Sequence, residues 1–443
     1  MAGKIKQWLL SGPEAWVFAI IAVAWIAGLS AVLAHPIFVT NDSLSNYAHV
    51  WYVARQFWHG HGIPYHFPEV GHGQALAFPY AFIPWATAAL VRPILGDWAT
   101  TLWLVLGFAG VVGSAWWAFP ELRKPVLAAI FLANPFLAEA VIMGQLPFLW
   151  ATAMLFAGIG CWRRERLAWS VLLVGLAQAN HAAVVLPLAG VIAGAAFVLG
   201  PNRRRIGVAY AISLLIAVPG VAMVFLSPVV EDSTRASLIG TFFGTVSLRA
   251  FVVLFPFALV RARPWLEDRW LALSVVAVLF ALNVGLVPLR NSSYAWFALG
   301  RTADEGLVSF LESPRFAPGA TYRLLRVGDG KVGMYQVLQH GGRLDSEFFP
   351  ESIHRTSWPG IIAYSQFLDE RHVDFVMIYF AYDTQYQTNE HLLLDEMVEG
   401  GCAEVVDRSS EYDVYKVAPL APCRVAIYHE PGQENDDESN RTS

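Results

Sequence analysis

The sequence predicts a polytopic α-helical membrane protein with about nine spanning helices and a small C-terminal extracytoplasmic α/β domain. Three observations carry this. Hydrophobic residues make up 56% of the 443 residues and charged residues only 15%, against about 45–50% and about 25% in soluble globular domains. The excess is gathered in runs near 15–35, 75–95, 98–119, 125–143, 146–162, 167–200, 206–226, 248–262 and 270–288; a bilayer core takes about 20 apolar residues per helix. Between the runs sit short basic clusters, Arg123–Lys124, Arg163 with Arg164 and Arg166, Arg203–Arg205, and Arg261 with Arg263. Such clusters mark the cytoplasmic side. The net charge of −5 argues against a nucleic-acid partner.

Taken in order, Lys4 and Lys6 precede an apolar stretch from Ala15 to Ala34. It is longer than the apolar region of a typical signal peptide, so it reads as a first transmembrane helix. The run 75–95 is punctuated by Pro79, Pro84 and Pro93, which a plain spanning helix carries poorly. If it crossed fully, Arg123–Lys124 and Arg163–Arg166 would fall outside. It therefore reads as a re-entrant or interfacial pair of short helices. The run 167–200 is too long for one pass, and Asn180–His181 splits it into an outgoing and a returning helix. The N-terminus then lies inside and everything from about Leu289 lies outside. Residues 1–290 form the membrane module and 291–428 the outer domain. In that domain 322–327 and 374–380 read as strands, 358–372 and 389–400 as helices, and 403–406 with 414–417 as a closing hairpin. The tail 429–443 is acidic and polar and reads as disordered. Cys161 falls in an apolar run; Cys402 and Cys423 are either a disulfide, if their end faces an oxidising compartment, or two free thiols.

The first outer loop, Pro36 to Gln74, is long, aromatic and rich in histidine. Its stretch Ser43 to Trp58 reads as an amphipathic helix. Asp42, Asn46 and His49 at i, i+4 and i+7 form one polar face, while Leu44, Trp51, Phe57 and Trp58 supply bulk for the headgroup zone. Asp42, at a membrane exit, is placed as a general base; the same position also suits a helix N-cap. Glu139 is the acid inside the 125–143 run, and a carboxylate at that depth usually faces a cavity. With Gln145 it can line an acceptor site near the outer face. Arg55, Arg92, Arg235, Arg249, Arg290 and Arg301 are the outer-side arginines near the helices, each either a phosphate ligand or a snorkelling residue. His59-Gly60-His61 lacks a helix-spaced pair with a third firm ligand, so a metal site is not expected.

This layout resembles the GT-C superfamily of integral membrane glycosyltransferases, which use polyprenyl-phosphate sugars. The resemblance rests on Asn41-Asp42-Ser43 at the start of the first outer loop and on Ala77-Phe78-Pro79-Tyr80 through Pro84-Trp85. Asn134-Pro135, Gly144-Gln145, Gly175-Leu176 through Asn180-His181, and Pro187 extend it toward the mannosyltransferase-like branch. It covers roughly residues 10–290. It implies that Asp42 deprotonates an acceptor hydroxyl and that His181 stands where members place a Lys or His against the donor phosphate. Arg235, in a loop like the one that covers the donor, and Arg249 join it there. Glu139, Gln145, Asn46 and His49 become sugar or acceptor contacts. The first loop lacks an Asp-x-Asp pair, so the implied enzyme is metal-independent and needs no cofactor. It would sit in the plasma membrane and move a sugar to a glycan, glycolipid or protein outside the cytoplasm. A transporter of a lipid-linked substrate and a non-catalytic membrane protein are the alternatives.

Overall fold

The protein is described from a computed structural model, in which residues 12–37, 43–64, 66–71, 82–226, 249–292, 305–326, 331–346 and 357–418 are defined. The chain divides into two compact units, Met1–Phe67 with Leu76–Thr302, and Pro68–Ala75 with Ala303–Ser443.

The first unit is helical: α1 (Pro13–Leu33), α2 (Ser43–Trp58), α3 (Phe82–Leu95), α4 (Trp98–Ala118), α5 (Pro125–Leu132), α6 (Pro135–Ile142), α7 (Leu146–Arg163), α8 (Leu167–Asn180), α9 (Ala182–Leu199), α10 (Arg203–Leu226), α11 (Phe255–Ala262) and α12 (Arg269–Ser292). Among the described residues α1, α4, α7 and α9 are long and apolar enough to cross a membrane, and α5 with α6, bent by 47°, makes a fifth if the pair is one span. Helices α3 and α8 and residues 269–283 are apolar but shorter. The described helices thus supply four or five spans by length and composition, against about nine expected.

Ion pairs show which helix ends lie together. Glu14 at the start of α1 meets Arg269 at the start of α12 at 3.2 Å. Glu121, in the turn after α4, meets Arg163 at the end of α7 at 3.2 Å, and Lys124 before α5 meets Glu267 at 3.4 Å. The start of α1, the α4–α5 turn, the end of α7 and the α11–α12 turn therefore share one charged end of the bundle. It follows that α1 finishes and α4 begins at the opposite, far end. Thr101 in the first turn of α4 donates to the carbonyl of Pro36 just past α1, at 2.7 Å. The stretch carrying α2 and α3 starts and finishes at that far end; residues 72–81, where the expected re-entrant run begins, lie outside the described set.

Helix α2 departs from the expected amphipathic surface helix. Residues 44–50 and 52–54 are buried, Leu44 completely, and exposure begins at Arg55, reaching 39% and 55% at Phe57 and Trp58. The reason is its seat against α3 and α4, where its polar side chains find partners. Tyr47 and Thr101 share a hydroxyl hydrogen bond, and Trp85 of α3 donates to Asn46 at 2.8 Å.

The break between α5 and α6 begins at Asn134-Pro135. Pro135 opens the new helix without needing an N–H partner, and the Asn134 side chain accepts from Phe136 N at 3.0 Å. Carbonyls exposed by such a break need partners inside an apolar bundle. Trp25 Nε1 donates to Leu132 O at 2.9 Å and Asn283 Nδ2 to Ala133 O at 2.7 Å.

The second unit holds α13 (Glu305–Leu311), β1 (Thr321–Leu325), α14 (Lys331–Gln339), β2 (Arg343–Leu344), α15 (Ile361–Glu370), β3 (Phe375–Tyr379), α16 (Tyr382–Tyr386), α17 (Glu390–Glu399), β4 (Ala403–Arg408) and β5 (Tyr412–Val417). The sheet order is β2-β1-β3-β5-β4. Strands β2, β1 and β3 are parallel and the β4–β5 hairpin is antiparallel. Every residue of β1 and β3 is buried, as expected of strands covered on both faces. The expected strands and hairpin are present; α14 and the short β2 were not expected. A further addition comes from the first loop. Val70 pairs in parallel with Leu344, and Leu344 N donates to Glu69 O at 2.8 Å. Cys402 is disulfide-bonded and Cys161 is free and buried; Cys423 lies outside the described residues.

Candidate functional site

Most of the sequence-predicted site residues of the helical unit gather at its far end. The turn between α6 and α7 is made by Gly144, in the left-handed region at φ +68°, and Gln145. A residue with a side chain would be strained there. Asn46 of α2 donates to Gly144 O at 2.9 Å, so both ends of its amide are used, one on this turn and one on Trp85. His49 stacks on Trp85 with ring centres 4.1 Å apart, and its Nδ1 donates to Ser45 O at 2.6 Å. Asn46 and His49 are 3% and 5% exposed. In this conformation they hold α2 against α3 and the α6–α7 turn.

Gln145 precedes the first turn of α7, and its buried Oε1 has no hydrogen-bond partner among the described residues. Phe148, in that first turn, is the centre of a second group. The His181 ring meets it edge-on at 5.9 Å, and the Arg249 guanidinium lies over it at 5.4 Å. Two predicted donor-phosphate residues, far apart in sequence, thus meet on one phenylalanine. Asn180 fixes the neighbourhood: its Oδ1 accepts from Ile83 N at 3.2 Å, and its Nδ2 donates to Pro147 O at 3.1 Å. This ties the α8–α9 turn to the starts of α3 and α7. Residues 249–253 are held against α6 through Asn134 Nδ2 on Phe251 O at 2.9 Å and a stack of Phe136 on Phe251. Glu139 of α6 is buried, one turn before Met143, whose N–H bonds its carbonyl.

The electrostatics of this group favour an anion. Neither α7 nor α9 has a side-chain cap at its N-terminus, and both start here; α9 brings its first-turn N–H groups, while α7, with Pro147 in its first turn and Leu146 N bonded to Gly144 O, brings only that of Phe148. Arg249, only 5% exposed, adds a full positive charge. His181 adds none at neutral pH: in the turn between α8 and α9, burial first and then Arg249 push its pKa down to about 4. It can donate or accept a hydrogen bond, and of these two residues the positive charge is Arg249's.

Asp42, the residue before α2, and Arg235 lie outside the described residues. Phe148 and Asn180 were not predicted as site residues. Phe148 is one apolar residue in an apolar run, without a signal of its own; Asn180 was visible as a helix break but not as a clamp. The histidines after α2 make local contacts, His59 Nδ1 with Arg55 O and His61 Nδ1 with Gln56 Oε1. Among the described residues no three His, Cys, Asp or Glu side chains come together as a metal site.

The second unit has a buried charged group of a different kind. Arg323 is fully buried and forks onto Glu390 at 3.0 and 2.7 Å, with Asp345 at 3.0 Å. Burial opposes its charge, but the two carboxylates outweigh it and hold the guanidinium well above its ordinary pKa. Asp383 caps the helix that presents Glu390, accepting from Glu390 N and His391 N.

Comparison with protein-family profiles, with curated proteins and with solved structures finds no match to this chain.

Proposed function

We propose that the protein is a GT-C-like membrane glycosyltransferase, moving one sugar from a polyprenyl-phosphate donor to an acceptor outside the cytoplasm. The observation that carries the reading is the meeting of Arg249 and His181 on Phe148, where the N-termini of α7 and α9 come together. A guanidinium beside two uncapped helix starts suits a phosphate leaving group. In the proposed reaction the Asp42 carboxylate takes the proton of an acceptor hydroxyl. The hydroxyl oxygen bonds to the anomeric carbon as the carbon–oxygen bond to the lipid phosphate breaks, and the phosphate departs as an anion against Arg249, with Arg235 assigned to the same group. Glu139 and Gln145 contact sugar or acceptor, and Asn46 and His49 keep the frame.

The proposed topology has nine spans, the charged end in the cytoplasm and the far end outside. Two observations support it. The basic clusters share an end with the start of α1, and Cys402 is disulfide-bonded, as suits an oxidising compartment.

A transporter is the second reading, favoured by the 47° break between α5 and α6. The carbonyls of Leu132 and Ala133 at that break already accept from Trp25 and Asn283, which leaves them less suited to a passing ion.

The test is sugar transfer by purified protein in lipid, with a panel of polyprenyl-phosphate sugars, for wild type and Asp42→Asn. Thermal unfolding checks that both are folded. Transfer that collapses in a folded Asn variant supports the enzyme and its base together. Equal transfer by both removes Asp42 from the chemistry and turns attention to Glu139. Lipid-linked sugar moved across a sealed bilayer without any transfer product would favour the transporter.

A further inference from the structure

The charged end of the bundle carries a second candidate site. Helices α8 and α10 run in the same direction and touch closely at Gly175, where an added Cβ would come within 2.7 Å of Ile216 Cβ and 2.9 Å of Ser213 O. Gln178 Nε2 also donates to Ser213 Oγ at 3.2 Å. Toward the starts of the same two helices a groove of about 1240 Å³ lies between them. Its walls are apolar: Leu167, Val171 and Leu172 on α8, and Val208, Ile212 and Ile216 on α10. At its mouth are three consecutive arginines, Arg203, Arg204 and Arg205, in the first turn of α10.

Arg163, Arg263, Arg269 and Lys124 at this end each have an acidic partner, while Arg164 bonds only the carbonyls of Gly160 and Trp117; the three arginines of α10 are of the second kind. Arg203 donates to Val198 O at 3.2 Å, and Arg205 lies over Trp162 at 5.4 Å. Among the described residues none of the three has an acidic partner. The first-turn N–H groups of α10 add to the same positive field. An apolar channel leading from a cationic mouth matches one kind of molecule in shape and charge, an amphiphile with an acyl chain and an anionic head. Basic pockets between spanning helices bind such headgroups.

We propose that this groove binds an anionic phospholipid of the cytoplasmic leaflet, its phosphate against Arg203–Arg205 and an acyl chain between α8 and α10. The assignment rests on the helices spanning the membrane and does not depend on sugar transfer.

The test uses the full chain in neutral detergent, with native mass spectrometry counting retained lipid. Phosphatidylglycerol, phosphatidylcholine and inorganic phosphate are the probes. Wild type is expected to retain phosphatidylglycerol over phosphatidylcholine. Arg203→Gln with Arg204→Gln should weaken that retention roughly 25-fold, at about fivefold per arginine. Ile212→Trp, which fills the channel while keeping the charges, should weaken it as well. Arg261→Gln with Arg263→Gln, an equal loss of charge at the same end, should leave it unchanged. Equal retention of both lipids, or equal losses from the two arginine pairs, would overturn a built site in favour of general charge attraction. Phosphate binding that depends on Arg204 and ignores Ile212→Trp would overturn the lipid in favour of a free anion.

Discussion

Arg249 is 5% exposed and lies across the ring of Phe148, so water screens its charge little. A buried charge is costly and persists where the surroundings or a ligand repay it. Arg323 in the sheet unit is buried more deeply, yet two carboxylates clamp it on hydrogen-bonding distances. That pairing accounts for Arg323 by structure alone. Arg249 lies beside the starts of α7 and α9, a surrounding that favours an anion. Arg249→Gln is therefore expected to cut sugar transfer by about 100-fold or more, the scale of losing one donor at a developing oxyanion. Arg249→Lys should keep part of the rate, since it retains the charge without the fork. Initial rates at saturating donor, beside thermal unfolding, decide it. Unchanged rates in a folded Arg249→Gln would remove Arg249 from the donor phosphate.

At the scale of elements, the α5–α6 break shows a local sequence rule completed by distant residues. Asn134-Pro135 dictates where the new helix starts, while the carbonyls set free are served by Trp25 and Asn283, over 100 positions away in each case. Asn283→Leu would leave Ala133 O without that donor inside an apolar bundle, at a cost of about 1–3 kcal/mol. A clear fall in melting temperature is expected, with no change in the charged end. An unchanged melting temperature would mean that the break does not need this clamp. The same division explains what the sequence told in advance. The split at Asn180–His181, the strands around 322–327 and 374–380 and the final hairpin are local patterns, and each is present; of the apolar runs, four or five are long enough to be spans among the described residues. The packed polar face of α2 was not legible, because its partners, Gly144 and Trp85, are remote in sequence. Strand β2 has two residues and too little length for any period to show. Phe148 was invisible for a related reason: within an apolar helix one phenylalanine looks like another until His181 and Arg249 are seen on it.

For the whole molecule, the hydrogen bond from Leu344 to Glu69 bears on the proposed topology. Residues 68–71 follow α2 by chain and pair with the sheet inside the second unit, so the proposed topology has to keep the first loop and the sheet on one side of the membrane. An even number of crossings would then separate them. The proposed nine spans meet this condition, since one precedes the loop and eight follow it. Reading 75–95 as a full crossing would make nine after the loop and place the sheet on the wrong side. The pairing offers a direct check. Paired residues on neighbouring strands lie about 4.7–4.9 Å apart, within the roughly 4.4–6.8 Å between Cα atoms that a disulfide accepts. Val70→Cys with Leu344→Cys should therefore form a new disulfide in membranes under mild oxidation. It should be found by mass spectrometry of a digest, in a chain that still unfolds cooperatively. Each single variant should give no such link. If the double variant is folded and oxidised yet unlinked, strand addition at β2 fails, and the parity argument for a non-crossing 75–95 then rests on the ion pairs of the charged end alone.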